Sequence, residues 1–497
     1  MNILMLYPEF PDTFWSFKHA LAFVNRKASL PPLGLLTVAS LLPREWNIRL
    51  IDLNVDALKE ADLAWADYAM ISAMTVQRKT AHKLIDRCRQ SGLKVIAGGP
   101  LFQAEHEQFP TVDHFILNEA ECTLPPFLQD LARGTPQRIY TSSEFPDMAE
   151  SPRPMWELLN RKRYWNMAIQ FSRGCPFNCD FCNVTALFGH RCRTKTSAQI
   201  IDELDSLYAL GWRGDVFFVD DNFIGKKAFL KKDLLPALIE WHKGKKGNQF
   251  FTEASINLAD DDELLDLMTH AGFARVFIGI ETTDEQCLSE CSKEQNRNRD
   301  MVADVKHIQR AGIQVQGGFI VGFDHDSPSV FQRQIEFIQN SGIVTAMVGL
   351  LQAPPGTRLF DRMQKNKRIR CDASGDNADG TTNIIPLMGL ETLTSGYHSI
   401  LQHIYSPGPY YERVKTLLRT IRAPRIRGHF EWTYLLAIMR SVYLLGIRGH
   451  DRMLYWKFML WTYLRRPRLL PDAVVFSIYG YHFRQVLKLH VAKQHSG

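Results

Sequence analysis

The run Gly174-Cys-Pro-Phe-Asn-Cys-Asp-Phe-Cys182 puts three cysteines, Cys175, Cys179 and Cys182, on one short loop, and this spacing constrains the chain more than any other feature. Three thiolates can hold three corners of a cubane 4Fe-4S cluster, where an electron-transfer ferredoxin supplies four. One iron is then left open to a chelating ligand. Ordinary buried thiols or a zinc site are the competing readings. Zinc wants paired C-x2-C or Cys/His sets, and no second pair lies at finger or ribbon spacing. The preceding segment, Trp165 to Ser172, reads as a strand running into a Gly-containing loop, where a barrel enzyme places cofactor-binding residues.

A chain of 497 residues suggests about three domains. Residues 1–140 alternate helical stretches with short apolar strands at Ile3 to Tyr7, Ile48 to Asp52, Tyr68 to Ala73, Lys94 to Ala97 and His114 to Leu117, the pattern of βαβ units and an open parallel sheet. The loops after these strands carry Ser72-Ala-Met-Thr75, Gly98-Gly-Pro100 and Asn118-Glu-Ala-Glu121. Small residues there let backbone approach a large flat ligand. Residues 141–164, rich in Ser, Pro and Glu, read as a linker. Residues 165–365 repeat strand then helix about six times, with strands at Met167 to Phe171, Val216 to Val219, Phe250 to Glu253, Arg275 to Ile280, Val315 to Val321 and Ala346 to Leu351. Helical patterns over Ser197 to Leu210, Asp260 to Ala271, Arg299 to Ala311 and Ser329 to Ser341 each begin near a capping Ser or Asp. From 366 to 497 the pattern is mainly helical.

The strand ends of the middle segment are polar: Asp220-Asp-Asn222, Glu253-Ala-Ser255, Glu281-Thr282 and the pair Gly317-Gly318. Capping or solvation is the plain reading for any one of these carboxylates. Together they surround the mouth expected beside Cys175.

These motifs resemble the radical S-adenosylmethionine superfamily, down to the aromatic Phe181 before the last cysteine. The runs Gly211-Trp-Arg-Gly-Asp-Val-Phe-Phe-Val-Asp-Asp-Asn-Phe-Ile-Gly225 and Gly317-Gly-Phe-Ile-Val-Gly-Phe-Asp324, with the early Ser29-Leu-Pro-Pro-Leu-Gly-Leu35, resemble its cobalamin-binding subgroup, which includes the hopanoid methylase and the bacteriochlorophyll side-chain methylases. The resemblance implies a Rossmann-like cobalamin domain, a partial (β/α)6 barrel and a C-terminal helical domain. It implies a 4Fe-4S cluster on Cys175, Cys179 and Cys182. S-adenosylmethionine is then expected near Phe181, Asp220, Asn222, Glu253, Ser255, Glu281, Gly317 and Gly318, and cobalamin near Ser72, Thr75, Gly98, Gly99 and Glu119. The axial-histidine motif D-x-H-x-x-G does not occur in residues 1–140, so cobalamin is expected without a protein histidine below the cobalt.

The reaction implied is radical C-methylation of an unactivated carbon, fed by an external low-potential electron donor. Radical cyclisation, rearrangement or carbon–carbon coupling runs on the same motifs, and a non-enzymatic iron-sulfur or cobalamin carrier is the third reading. Nine cysteines in no even framework favour a reducing compartment, and the opening run Asn2 to Tyr7 reads as a strand, not a signal peptide. The cytoplasm is the expected location.

The net charge of +6 hides an asymmetry, since residues 411–497 alone carry +12 and the first 410 residues −6. Sixteen Lys/Arg interleave there with fourteen aromatic residues, the composition of an interfacial helix or of a helical subdomain with its aromatics inward. No run of about eighteen uncharged apolar residues occurs. The expected partners are a small hydrophobic substrate and the inner membrane face, contacted peripherally through 411–497. Nucleic acid is disfavoured because the span is strongly apolar. Cys192, Cys287 and Cys291 are left as free structural thiols.

Overall fold

A computed structural model describes residues 1–423, 426 and 432–494. The first sheet is all parallel, in the order β2-β1-β3-β4-β5-β6, built from β1 (Asn2–Tyr7), β2 (Asn47–Asp52), β3 (Tyr68–Ser72), β4 (Lys94–Gly98), β5 (His114–Ile116) and β6 (Ile139–Tyr140). Five of these six strands were legible in the sequence. β6 has only two residues, too few to show a period. In β1, Ile3, Leu4, Met5 and Leu6 are all fully buried, as a strand covered on both faces requires. The crossover helix Arg78–Gln90 covers one face through Ala81, Leu84, Ile85 and Cys88, one stripe at helical spacing. Strand order reverses between β1 and β3, which opens a crevice at their carboxyl ends.

The second sheet is also parallel and runs β7-β10-β11-β12-β13-β14, comprising β7 (Met167–Ile169), β10 (Val216–Phe218), β11 (Phe250–Ala254), β12 (Phe273–Glu281), β13 (Gln314–Val321) and β14 (Ala346–Leu350). These are the six expected strands. β14 and β7 end the sheet without pairing to each other, so the barrel is open on one side. The intervening helices are capped as expected: Thr196 accepts from Gln199 N at 3.2 Å, Asp261 from Leu264 N at 3.1 Å and Asp300 from Ala303 N at 3.0 Å. Ser329–Ser341 begins after Pro328 without a side-chain cap, and so does Leu235–His242 between β10 and β11. One unforeseen hairpin, β8 (Ser172–Arg173) with β9 (Arg193–Thr194), frames the cysteine loop.

The stretch 141–164 packs into the seam between the two sheets. Trp156 and Tyr164 are buried, and Tyr164 Oη donates to Asp52 Oδ2 at 2.9 Å. Residues 366–389 contain no helix. They form a strap in which Gly375 lies against Thr75 and Val76 of the first unit while Asn377 lies on Gly349 of β14. Helices follow at Leu390–Tyr405, Pro407–Thr420, Trp432–Ser441, Arg452–Arg465 and Leu470–Gln494. Tyr397, Tyr405, Tyr410, Leu417 and Phe483 from this region join the barrel's own core. Among the described residues, no helix is long and apolar enough to cross a membrane.

A Cβ on Gly349 would overlap the Asn377 carbonyl oxygen, a backbone atom that no rotamer change removes. Gly349→Ala should therefore lift the strap at an overpacking cost of about 1–3 kcal/mol. Limited proteolysis should show faster cleavage within residues 371–383, and an unchanged cleavage rate would mean that this contact does not hold the strap.

Candidate active site

The cysteine loop leaves the hairpin through Gly174, whose φ of +88° only glycine adopts at low cost and whose Cβ would lie 2.6 Å from the Arg191 carbonyl oxygen. Cys175 N then donates to Gly189 O at 3.3 Å and Cys182 N to Cys179 O at 3.3 Å. The loop is bolted from outside. Asp180 N donates to Cys291 O at 3.0 Å, Leu359 N to Asp180 O at 2.9 Å, and the Asp180 carboxylate pairs with Arg362 at 2.8 Å. Arg358 donates to the Asn178 carbonyl. The three thiols are free and partly exposed. Burial raises their proton affinity, pushing Cys182 up to about 12. Lys293 opposes this at Cys179 and Cys182; it lies 6.0 Å from the Phe181 ring and pairs with Glu281 at 2.8 Å. Three free thiols beside a buried cation fit a group that binds them as thiolates. Among the described residues, no three His, Cys, Asp or Glu side chains converge on a single-ion site.

The polar strand ends divide into two kinds. Asp220 is turned away from the mouth: it accepts from Phe171 N at 3.2 Å and from both Ser172 N and Ser172 Oγ, so its oxygens pin the bend that leads into the cysteine loop. Asn222 links Cys175, 4.0 Å from its Nδ2, to Ser255, whose N donates to Asn222 Oδ1 at 3.3 Å. Glu281 ends β12 at a bulge, with a φ of +63°. Gly317 and Gly318 lie mid-strand, below the mouth where the sequence had them. A Cβ on Gly317 would meet Phe319 and Ile343, and one on Gly318 would meet Phe277 and Met347, so they make room for packing side chains.

Glu253 and Asp221 remain free to meet a ligand. β11 alternates, with Phe251 and Glu253 on its more accessible inner face. Burial pushes Glu253 up to about 8, helped by the neighbouring charges of Asp221 and Asp220. Burial likewise pushes Asp220 up to about 7 and Asp221 up to about 6. Glu253 and Asp221 thus present two crowded acids that suit a cation, as the ammonium and sulfonium of S-adenosylmethionine would provide.

In the first unit, Ser72, Gly98 and Gly99 gather at the crevice. Gly99 has a φ of +94°, and its Cβ would lie 2.5 Å from Ser72 Oγ; a Cβ on Gly98 would lie 2.8 Å from Ile116 O. Both glycines therefore let the neighbouring strand ends close up, which leaves bare backbone at the crevice with Met74 exposed beside it. Thr75 is partly covered by the strap. Glu119 is spent elsewhere. Its carboxylate meets Arg173 at 2.5 Å and Arg193 at 2.5 Å, while Glu121 takes Arg173 at 2.9 Å. This mostly buried ion cluster ties the first unit to the hairpin that carries the cysteines. Cys192 is buried against Gly225, Cys287 donates to Asp326 at 3.3 Å, and Cys291 donates to Leu288 O at 3.6 Å. Sequence reasoning missed Lys293, Gln295 (3.8 Å from Cys179 Sγ), Arg358 and Arg362, which lie in no motif.

Comparison with known proteins gives three successive family matches: a B12 binding domain over residues 20–128, the radical SAM superfamily over 169–338, and a domain of unknown function (DUF4070) over 357–496. An uncharacterised methyltransferase of Synechocystis is 37% identical, covering 99% of this chain and 94% of its own length. The hopanoid C-2 methylase of Rhodopseudomonas palustris is 33% identical over 93% of this chain and 90% of its own. The bacteriochlorophyllide d C-12(1)-methyltransferase of Chlorobaculum tepidum is 26% identical over 69% and 76%. Among solved structures, the cobalamin-dependent radical enzyme OxsB superposes with a TM-score of 0.64 at 15% identity, covering 99% of this chain and 83% of that one. The methyltransferase TsrM from Kitasatospora setae gives 0.58 at 14% identity, covering 92% and 98%.

Two outcomes follow from this geometry. After anaerobic reconstitution, Cys179→Ala should lose the visible absorption of the cluster and reductive cleavage of S-adenosylmethionine, while Cys371→Ala, at an exposed thiol, keeps both; full cleavage by Cys179→Ala sinks the assignment. The second concerns pH. The raised carboxylates hold protons in the folded state that the unfolded chain releases near pH 4, so stability of the cofactor-free chain should fall as pH rises from about 5 to about 8. Thermal melts across that range should fall by a few degrees and flatten in Glu253→Gln. An equal slope in both proteins would place the coupled protons elsewhere.

Proposed function

We propose, from the premise that this chain belongs to the B12-binding radical S-adenosylmethionine enzymes related to hopanoid C-2 methylase and the bacteriochlorophyllide methyltransferases, that it methylates an unactivated carbon of a hydrophobic polycyclic or isoprenoid substrate. The family's cofactors are a 4Fe-4S cluster, S-adenosylmethionine and cobalamin, and its members require a reductant. When bound, these groups supply the electron, the radical and the methyl group. The protein's share is to bind, orient and exclude water.

In this reading Cys175, Cys179 and Cys182 hold the cluster, with Lys293 balancing thiolate charge. Glu253 and Asp221 face the S-adenosylmethionine cation, Asn222 and Ser255 set the edge of that site, and Asp220 fixes the loop's entry angle. Ser72, Gly98 and Gly99 would hold the corrin, and the motif D-x-H-x-x-G does not occur in residues 1–140. The proposed units are 1–140 for cobalamin, 141–164 as the seam, 165–365 as the barrel and 366–497 as strap and helices.

One observation carries the substrate class. Below the acids, the inner barrel wall is aromatic: Phe217 and Phe251 stack at 4.6 Å and 8°, Trp15 meets Phe277 edge-on at 5.4 Å, and Trp15 Nε1 lies 3.0 Å from Met347 Sδ. Arg275, stacked on Phe251 at 4.6 Å, is already held by Asp215 at 2.6 Å, so the wall offers mainly ring faces, which suit rings and methyl branches. A deletion strain and its parent should differ in a lipid or pigment by one methylene group. Reconstituted enzyme given methyl-labelled S-adenosylmethionine and extracts of the deletion strain should label the organic-solvent fraction. Label confined to water-soluble products would overturn the substrate class.

A further inference from the structure

Among the described aromatic residues of the C-terminal region, two sets stand at opposite extremes of exposure that sequence alone cannot separate. Tyr411, Tyr455, Phe458, Phe476 and Phe483 are buried. Trp432, Tyr443, Trp456 and Tyr463 are exposed, and large aliphatic side chains are exposed with them. The exposed set is ordered. On Trp432–Ser441 and the π-helical turn that continues it, Trp432, Leu435, Leu436, Met439, Tyr443 and Ile447 form one stripe; on Arg452–Arg465, Met453, Trp456, Leu460, Tyr463 and Leu464 form another. The two helices are joined by the short turn 448–451, and Trp456 Nε1 donates to Gly446 O at 2.9 Å. The stripes therefore adjoin. The opposite side of this hairpin supplies Ala437, Leu445, Tyr455 and Phe458 to the interior.

We propose that this hairpin face, residues 432–465, is a docking surface for an anionic lipid leaflet. The inference rests on the hydrophobic-substrate reading above and gives it a place on the molecule. Exposure is the first support: Met439, Met453, Leu460 and Leu464 are 59%, 65%, 58% and 67% exposed, values that a self-packed helical subdomain does not leave on its largest apolar side chains. Charge is the second and selects the occupant. Residues 432–465 carry five Lys/Arg and one acid. Among the described residues, Arg448, Arg452, Lys457 and Arg465 join no ion pair, and all four are exposed. An unneutralised cationic rim around an apolar stripe matches a leaflet that is negative at its surface and hydrocarbon within. A second copy of the chain would bring the same positive rim.

Connectivity is the third. Helix Trp432–Ser441 packs on residues 20–24 through Ala437, and Arg440 donates to the carbonyls of Ala22 and Phe23. The same N-terminal segment continues back to Phe17 and Trp15. Rings then succeed one another inward: Tyr479 to Phe17 at 5.1 Å, Phe17 to Trp15 at 6.3 Å, Trp15 to Phe277 at 5.4 Å. The docking face thus joins the aromatic barrel wall through one packed segment.

The test is sedimentation of the full chain with phosphatidylglycerol vesicles, phosphatidylcholine vesicles or none. The expected result is about tenfold stronger partition to the anionic vesicles, weakened by high salt, and lost when Met439, Met453, Leu460 and Leu464 are all changed to Gln. Arg452→Gln with Lys457→Gln, at exposed side chains, should weaken anionic binding several-fold; this second variant decides the matter if circular dichroism shows that the first is misfolded. Wild-type binding by either folded variant overturns the proposal. So does a dimer in solution that the Gln variant converts to monomer while neither protein binds vesicles, since a second copy then covers the face. Failure here with label still entering the organic fraction overturns the docking face alone, and binding with label only in polar products overturns the substrate class alone.

Discussion

Four charged side chains fix how the two α/β units meet. Glu119 and Glu121 stand at the carboxyl edge of the first sheet; Arg173 and Arg193 stand on the hairpin that opens and closes the cysteine loop. Ions taken out of water are costly unless each finds partners of good geometry, and removing one member strands the others. The cluster is therefore weak as a source of net stability and strong as a specification of geometry. It holds the carboxyl edge of the first sheet against the hairpin that frames the cysteine loop. Every proposal about two cofactors acting on one substrate depends on that arrangement, and the buried bond between Tyr164 and Asp52 supports it from the seam.

The electrostatics of the mouth follow from burial as much as from charge. Lys293 and Glu281 neutralise each other beside the cysteines, whereas among the described residues Glu253 and Asp221 have no such partner, and burial raises the proton affinity of both. A buried carboxylate without a counter-ion is a pre-formed preference for a cation. Asp220 is a different case although burial raises it too, because three donors from Phe171 and Ser172 already occupy it. Adjacent residues of one Asp-Asp-Asn run thus divide between scaffold and site.

That division explains what the sequence could and could not reveal. Short apolar runs and capping residues located eleven of the twelve main strands and four barrel helices, because burial writes itself into local pattern. The cysteine spacing identified the loop for the same reason, being a constraint among near neighbours. The pairing of Glu119 was not legible because its two arginine partners lie more than fifty positions away. Lys293, Arg358 and Arg362 reach the loop from distant segments and leave no periodic trace. The packing of the linker 141–164 was equally hidden: Pro- and Ser-rich composition signals the absence of regular structure, not the absence of packing, and Trp156 is fully buried there.

The C-terminal region shows a further limit of composition. Counting aromatic and basic residues over 411–497 gives the same total whether the rings face inward or outward, and the long helix Leu470–Gln494 is apolar on more than one side because it is packed on several. Only helical phase against a known neighbour separates the two. Tyr455 and Trp456 are consecutive, yet one is buried against Ser441 and the other lies on the outer face leaning on Gly446. A single step of about 100° along the helix divides interior from surface. The outer face is then a property of the hairpin and not of the tail as a whole, while the hairpin's inner side packs through Ala437 on the N-terminal segment that carries Phe17 and Trp15.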